Sequence, residues 1–139
     1  MSLTRLSRRR GFECLHRASA GDWPSERNQA SSGARFTPQG QGHKYELEAY
    51  FEGPVDSESG MIANLNDVDF LLGRVLAPLE GKNLSEDVPE FKGIGPTVET
   101  LASYVTQSLL REMRATMPGL RLVKVRLYEF DDLWVDVWP

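Results

Sequence analysis

Apolar and polar residues alternate in three stretches of the chain, which is the pattern of a β-strand with one buried face. Every second position is apolar in residues 43–52, and a similar alternation returns in residues 123–129 and 133–138. Residues 5–16 form a shorter, mixed segment in which positions 12, 14 and 16 would share one side of a strand. The pattern therefore predicts four strands, two near each end of the chain.

Two other stretches have apolar residues three and four positions apart, which predicts amphipathic helices. The first helix should begin at Asn66 or Asp67, either of which is a good N-cap, and run to about Leu79. The second should open after Thr97 as its cap and stop near Pro118-Gly119. The apolar positions that define the two helices are Val68, Leu71, Leu72, Val75, Leu76, Leu79, Leu101, Tyr104, Val105, Leu109 and Met113.

The order of elements is strand, strand, helix, helix, strand, strand, with long loops over residues 17–40 and 80–95. This order predicts an α+β domain in which a four-stranded antiparallel sheet carries two helices packed on one face. The edge strands of such a sheet stay open, and pairing them with copies of the chain would close them. We therefore expect a homo-oligomer.

Length and composition fit one domain over residues 1–139, with 40% hydrophobic residues to form a modest core. A net charge of −4 gives no electrostatic reason to expect nucleic acid. No apolar run approaches the roughly 20 residues that span a bilayer, so no membrane contact is expected. A single cysteine, Cys14, excludes an intramolecular disulfide and fits a reducing, cytoplasmic location.

A basic cluster near the N-terminus consists of Arg5, Arg8, Arg9 and Arg10. It could be a phosphate-binding arm or a solvated, frayed terminus. We favour the second interpretation and predict a flexible N-terminal extension over residues 1–10.

Six short segments occur in an order that is known from one enzyme family. They are Gly60-Met61-Ile62-Ala63-Asn64-Leu65 and Val125-Arg126-Leu127-Tyr128-Glu129, together with residues 12–17, 25–28, 82–84 and 96–102. From about residue 12 to residue 137 the chain resembles the 6-pyruvoyl-tetrahydropterin synthase and 6-carboxy-tetrahydropterin synthase family. The resemblance implies the tunnelling fold (T-fold), in which trimers close a barrel, two trimers stack into a hexamer, and the sites lie between subunits.

The resemblance also implies a zinc site, because family enzymes hold zinc with three histidines. Residues 40–45 read Gly-Gln-Gly-His-Lys-Tyr where the family has Gly-His-Gly-His-Asn-Tyr. His16 and His43 match two of the ligand positions, and Gln41 occupies the third. Positions 41 and 43 lie two apart on a strand and so face the same way. Because an amide oxygen is a poor donor to zinc, we expect zinc to bind weakly or not at all.

Cys14 lies two residues before His16, so a strand would place it on the same face. It could therefore offer a thiolate to the metal. The alternative is that Cys14 is a small buried apolar side chain, which is the usual role of a single cysteine in a strand.

The proton-transfer residues of the family are replaced. Its catalytic cysteine loop aligns with residues 33–40 and places Arg35 at the cysteine position, where a guanidinium cannot accept a proton. Arg35 could instead face an anionic group of a ligand. The family's Asp-His dyad aligns with Glu80-Gly81, and glycine cannot relay a proton. Glu80 is then either a lone catalytic base or a solvated loop carboxylate.

Three residues match the family's substrate-binding positions. Glu129 matches the glutamate that pairs with the 2-amino and ring N–H groups of a pterin, and it continues a buried strand face. A carboxylate there needs partners, and two parallel N–H donors would satisfy both oxygens. The alternative is a strand-end ion pair with a basic residue. Thr97 and Glu99 also match, although both fit helix capping as well.

These observations leave three hypotheses for function. The first is a divergent, non-catalytic homologue (a pseudoenzyme) that binds a pterin- or purine-like ligand. The second is an active carbon–oxygen lyase or synthase that acts on dihydroneopterin triphosphate with a rearranged metal site. The third is an interaction protein without a small ligand. We favour the first, because the binding residues remain while the proton-transfer residues are gone.

Overall fold

The computed structural model of the chain describes residues 2–16 and 41–139, and within them the side chains of residues 2–15 and 44–139. The strands are β1 (Leu3–His16), β2 (Gln41–Pro54), β3 (Arg121–Phe130) and β4 (Leu133–Val137). The helices are α1 (Leu65–Leu76), α2 (Leu84–Asp87) and α3 (Val98–Thr116), and a 3-10 turn over Pro89–Phe91 follows α2.

The four strands form one antiparallel sheet in the order β1-β2-β3-β4. The two long helices, α1 and α3, pack on one face of it, as the sequence predicts. Between that face and the helices lies the core, whose fully buried members include Tyr45, Leu47, Ala49, Phe51, Val68, Leu72, Leu101, Val105, Leu109, Val125 and Leu127. None of the helices in the described part of the chain is long and apolar enough to cross a membrane.

The helix boundaries follow from their caps. α1 begins earlier than predicted, because the side chain of Asn64 accepts a hydrogen bond from the Asn66 N–H and makes Asn64 the N-cap. α3 begins where predicted: Thr97 accepts from the Thr100 N–H at 3.2 Å, and the Thr100 hydroxyl accepts from the Thr97 N–H at 2.9 Å. This reciprocal capping box fixes the start of α3.

The expected flexible extension over residues 1–10 is wrong for residues 3–10, which form the first part of β1. The arginines there are held by ion pairs with residues distant in sequence. Arg5 lies 3.0 Å from Glu52 on β2, and Arg8 lies 2.7 Å from Asp69 on α1. These ion pairs hold a segment with a polar, basic sequence in place as an ordered edge strand.

β3 is interrupted by two β-bulges. Against β2, Tyr50 pairs with Lys124 and Phe51 with Leu122, so Val123 is the extra residue. Against β4, the pairing skips Glu129. Val125 and Leu127 lie in the core as the alternation predicts, while the bulge brings Leu122 rather than Val123 into the core cluster.

The face of the sheet away from the helices, called the open face below, is polar and aromatic. Its side chains include Arg5, Arg9, Glu46, Glu48, Tyr50, Glu52, Arg121, Lys124, Arg126, Tyr128, Trp134, Asp136 and Trp138. The guanidinium of Arg9 lies 4.2 Å from the centroid of the Tyr128 ring. Arg126 donates hydrogen bonds of 2.7 and 3.0 Å to the two carboxylate oxygens of Asp136. These contacts link β1, β3 and β4 across the open face.

Candidate functional site

One end of the sheet gathers the positions that the sequence assigns to a site. Because the strands are antiparallel, the end of β1, the start of β2 and the end of β3 lie at this end, called the site end below. The backbone register pairs His16 with Gln41 and Cys14 with His43. The three proposed metal positions are therefore neighbours on adjacent strands. Their side chains lie outside the described part of the chain.

Cys14 is buried at the site end, with 3% of its surface exposed. Burial, and after it the charge of Glu80, raises the pKa of the Cys14 thiol to about 12. The thiol form therefore predominates at neutral pH in the metal-free chain. The burial agrees with a small buried apolar side chain, and the role of Cys14 as a thiolate ligand stays a prediction.

An aromatic pair lies beneath the site end. The rings of Phe12 and Tyr45 stack with centroids 5.4 Å apart and planes 23° apart, and both residues are buried. Such a pair contributes more than its area alone because offset rings attract each other. The strands that carry positions 14 and 43 are thus joined by packing as well as by backbone hydrogen bonds.

Glu80 lies at the outer edge of β1, close to the site end. Its Oε2 atom accepts a hydrogen bond of 3.0 Å from the backbone N–H of Glu13. The structure therefore gives Glu80 a backbone partner, which the sequence could not indicate. Whether Glu80 also acts as a base stays a prediction.

Gly81 adopts a left-handed backbone with φ = 71°. Side chains with a Cβ rarely occupy this region, so the backbone here favours glycine. The replacement of a proton relay at this position stays a prediction.

Glu129 is half-buried at the end of β3, in the bulge against β4. A bulge re-aims the side chain of its extra residue and ends regular pairing. The partial burial agrees with the expectation from the sequence, which did not predict the bulge. Since β-bulges are not marked by a sequence motif here, no local signal could have revealed it.

Thr97 and Glu99 lie at the start of α3. A short turn joins α3 to β3 and the two elements pack together, so the start of α3 lies toward the site end. The Thr97 hydroxyl is engaged in the capping box. Glu99 is exposed and lines an open pocket of about 250 Å³ together with Glu90, Phe91, Ile94, Thr100, Ser103 and Tyr104. Their roles toward a ligand stay predictions.

Arg35 lies outside the described residues, so its proposed contact with an anionic group stays a prediction. Within the described side chains, which exclude those of His16 and His43, no group of three His, Cys, Asp or Glu residues lies close enough to hold a metal ion. The metal hypothesis therefore depends on the backbone register and on the two histidines.

Comparisons with known proteins bear on the fold and the family of the chain. The family model described as 6-pyruvoyl tetrahydropterin synthase matches residues 5–139. The 6-pyruvoyl tetrahydrobiopterin synthase of Homo sapiens is 33% identical over 128 residues, covering 91% of this chain and 86% of that protein. The synthase of the same name from Poecilia reticulata is 32% identical over 127 residues, covering 91% of this chain and 84% of that protein. The structure of Caenorhabditis elegans 6-pyruvoyl tetrahydropterin synthase superposes with a TM-score of 0.87 at 27% identity, covering 100% of this chain and 97% of that chain.

The sheet order, the position of the helices and these matches define a tunnelling-fold protein. Within that fold, the chain belongs to the 6-pyruvoyl tetrahydropterin synthase family. The predicted fold class and the predicted family are both confirmed.

Proposed function

We propose that this chain is a divergent family member that binds a pterin- or purine-like ligand through Glu129 and has lost or altered the standard synthase reaction. The observation that carries the proposal is the half-buried carboxylate of Glu129, set in a β-bulge at the end of β3. It lies at the same end of the sheet as the paired positions 14, 16, 41 and 43.

A carboxylate in this setting suits the edge of a fused ring. Pterins and guanine present an amino group and a ring N–H side by side, and these can donate two parallel hydrogen bonds to one carboxylate. A half-buried carboxylate gains more from such a pair than a solvated one, because less water competes for it.

The chemistry of the donor set fits a metal only in part. His16 and His43 offer two imidazoles at neighbouring backbone positions, and Gln41 offers an amide in place of a third. A zinc ion bound there would supply Lewis acidity toward the ligand's side chain. We propose that the two histidines hold it weakly, since the amide adds little affinity.

The proton-transfer positions argue against the standard reaction. Arg35 replaces a cysteine base and stays protonated, while Gly81 replaces the histidine of the dyad. If turnover remains, the chain acts as a carbon–oxygen lyase of the pterin synthase type, with Glu80 or a neighbouring subunit supplying the base.

Assembly follows from the edges of the sheet. β1 and β4 are its two edge strands, and an edge strand offers backbone groups for pairing. The relatives share this topology, so we propose a homo-oligomer, a trimer or a hexamer. Light scattering after size exclusion tests the proposal, and a monomer at micromolar concentration would contradict it.

Ligand binding is tested by titration calorimetry with neopterin and with guanine. We expect Glu129→Ala to weaken binding by about a hundredfold and Glu129→Gln by at least about tenfold, because the amide presents a donor to the ligand's donors. Glu58→Ala, which removes an exposed carboxylate from a turn, is the matched control. Unchanged affinity in Glu129→Ala would refute the anchor, and no binding by the unaltered chain would favour an interaction protein.

Turnover is tested separately, by incubating the chain with dihydroneopterin triphosphate and following loss of the side chain by chromatography. We expect no loss beyond the uncatalysed rate. Conversion at enzyme-like rates, on the order of one per second, would support the active lyase instead.

A further inference from the structure

The outer edge of β1 is bound by a second segment of the chain near its end. The Gly81 N–H donates to the Glu13 carbonyl at 2.7 Å, and the Leu15 N–H donates to the Lys82 carbonyl at 2.8 Å. Asn83 continues this contact as a parallel bridge to Leu15. An edge strand is thereby paired on both sides where it approaches the site end.

Glu80 completes the contact through its side chain, because Oε2 accepts the Glu13 N–H at 3.0 Å. The N–H and the carbonyl of Glu13 and the N–H of Leu15 are all bonded to residues 80–82. We infer that residues 80–82 form a clamp on the end of β1, and that Glu80 is a positioning residue for the proposed metal site rather than its base.

The clamp acts on the residues that flank the proposed ligands. Glu13 and Leu15 lie on either side of Cys14, whose backbone partner is His43, and Leu15 directly precedes His16. The last residues of an edge strand fray readily, since they have backbone partners on one side alone. Holding residues 13 and 15 from the other side fixes position 16 against positions 41 and 43.

The clamp is itself held in place by α2. Asn83 caps this helix by accepting the Ser85 N–H at 3.1 Å, and its own N–H donates to Asp87 Oδ2 at 2.8 Å. Gly81 provides the left-handed turn, and a Cβ added there would meet no atom within 4 Å. An alanine at this position would therefore be strained by its backbone alone.

The hydrogen bond between the Glu13 N–H and Glu80 Oε2 allows a positioning role to be distinguished from base catalysis. Accepting an N–H requires an oxygen but no charge, so glutamine at position 80 keeps the bond. A general base at position 80 has to be a carboxylate, so glutamine there abolishes base catalysis. If Glu80 positions the end of β1, Glu80→Gln and Glu80→Ala therefore differ in their effects. If Glu80 acts as a base or as a metal ligand, the two variants have equal effects.

The clamp alone is tested by amide hydrogen exchange in the metal-free protein. We expect protection at Glu13 to be retained in Glu80→Gln and to fall by about tenfold in Glu80→Ala and Gly81→Ala, while amides in the middle of α3 stay unchanged. Glu58→Ala is the control and should match the unaltered chain. Equal protection at Glu13 in Glu80→Ala and the unaltered chain would overturn the clamp.

The effect on the site is tested with Zn²⁺ alone, by competition with a chromogenic chelator. We expect Glu80→Ala to weaken zinc binding by about tenfold and Glu80→Gln to stay within about twofold, because a misplaced supporting residue typically costs that much affinity. Equal losses in both variants would overturn positioning and make the carboxylate a direct participant.

This second test depends on the proposed metal site, whereas the exchange test does not. If the unaltered chain binds no zinc, the metal site is refuted and the positioning role with it. The Glu13 exchange data then still decide whether the clamp exists, so the two failures are distinguishable.

Discussion

The two faces of the sheet are held together by different interactions. The helix-side face carries fully buried apolar residues such as Leu47, Phe51 and Leu127. The open face carries ion pairs and aromatic rings, as where Lys124 lies 4.7 Å from the Tyr50 ring centroid. Apolar burial is non-directional and is the main source of folding free energy, while charged and aromatic contacts depend on geometry. The apolar stabilising contacts and the charged surface chemistry therefore lie on opposite sides of the same strands.

Neighbouring residues of β3 offer the most direct test of this comparison. Leu127 is fully buried on the helix side, and Tyr128 is half-buried on the open face. We expect Leu127→Ala to lower the free energy of unfolding by about 2–5 kcal/mol, because it leaves a cavity in the core. Tyr128→Ala should cost roughly 1 kcal/mol, from its contacts with Arg9 and Trp134. Urea denaturation measures both, and equal costs would contradict the division between the faces.

Two bidentate Arg–Asp pairs with the same bond lengths allow a finer comparison. Arg126 and Asp136 bond at 2.7 and 3.0 Å on the open face, with side chains 23% and 22% exposed. Arg8 and Asp69 bond at 2.7 and 3.0 Å between β1 and α1, with side chains 42% and 38% exposed.

We expect a double-mutant cycle to give a coupling of roughly 1 kcal/mol for Arg126 with Asp136, because solvent screens this pair less. The coupling of Arg8 with Asp69 should be smaller. A larger coupling for the more exposed pair would show that contact with a helix, rather than exposure, determines the strength.

Acid should weaken the open face in a defined range of pH. The hydrogen bond from Arg126 is the main cause that holds the pKa of Asp136 below its usual value. A carboxylate with a lowered folded pKa contributes stability above its unfolded pKa of about 3.9, and this contribution is lost as pH falls through the folded value. Asp136→Asn should therefore flatten the loss of stability below about pH 4. Asp131→Asn, in the exposed turn, is the control. If Asp136→Asn loses stability below about pH 4 as the unaltered chain does, Asp136 is not the group responsible.

The smallest effect is expected at the exposed rim of the open face. Arg5 lies 3.0 Å from Glu52, but 64% of its side chain is exposed, and Arg121 lies 2.8 Å from the same carboxylate. Since Arg121 keeps Glu52 paired, Arg5→Ala should leave the urea midpoint unchanged within error. A clear loss of stability would show that the rim supports the strand edge.

The fold was largely predictable because its main elements carry strong periodic patterns. Residues 43–52 alternate and form the inner part of β2, and the spacing of Leu101, Val105 and Leu109 gives the buried stripe of α3. α2 was missed because a helix of 4 residues is too short to show a period. β1 was underestimated because the partners of its arginines lie 47 and 61 residues away, where local pattern cannot reveal them.

The candidate site was less predictable than the fold. The burial of Cys14 and the partial burial of Glu129 agree with the strand pattern. The bond from Glu13 to Glu80 and the left-handed backbone of Gly81 come from a loop that meets a strand edge. The partner of Glu80 is a backbone N–H, which every residue except proline carries, so no residue type marks that contact in advance.

The bulge at Glu129 also limits how the chain can vary in length. Two residues of β3 face one of β4 there, so the hairpin carries one residue more than a regular ladder needs. Deleting Glu129 would restore regular pairing between β3 and β4 and would place Phe130 where Glu129 now lies. The strand would then end in an apolar side chain instead of a carboxylate. Insertions and deletions that leave the acidic end intact should therefore fall in the Asp131-Asp132 turn and not before it.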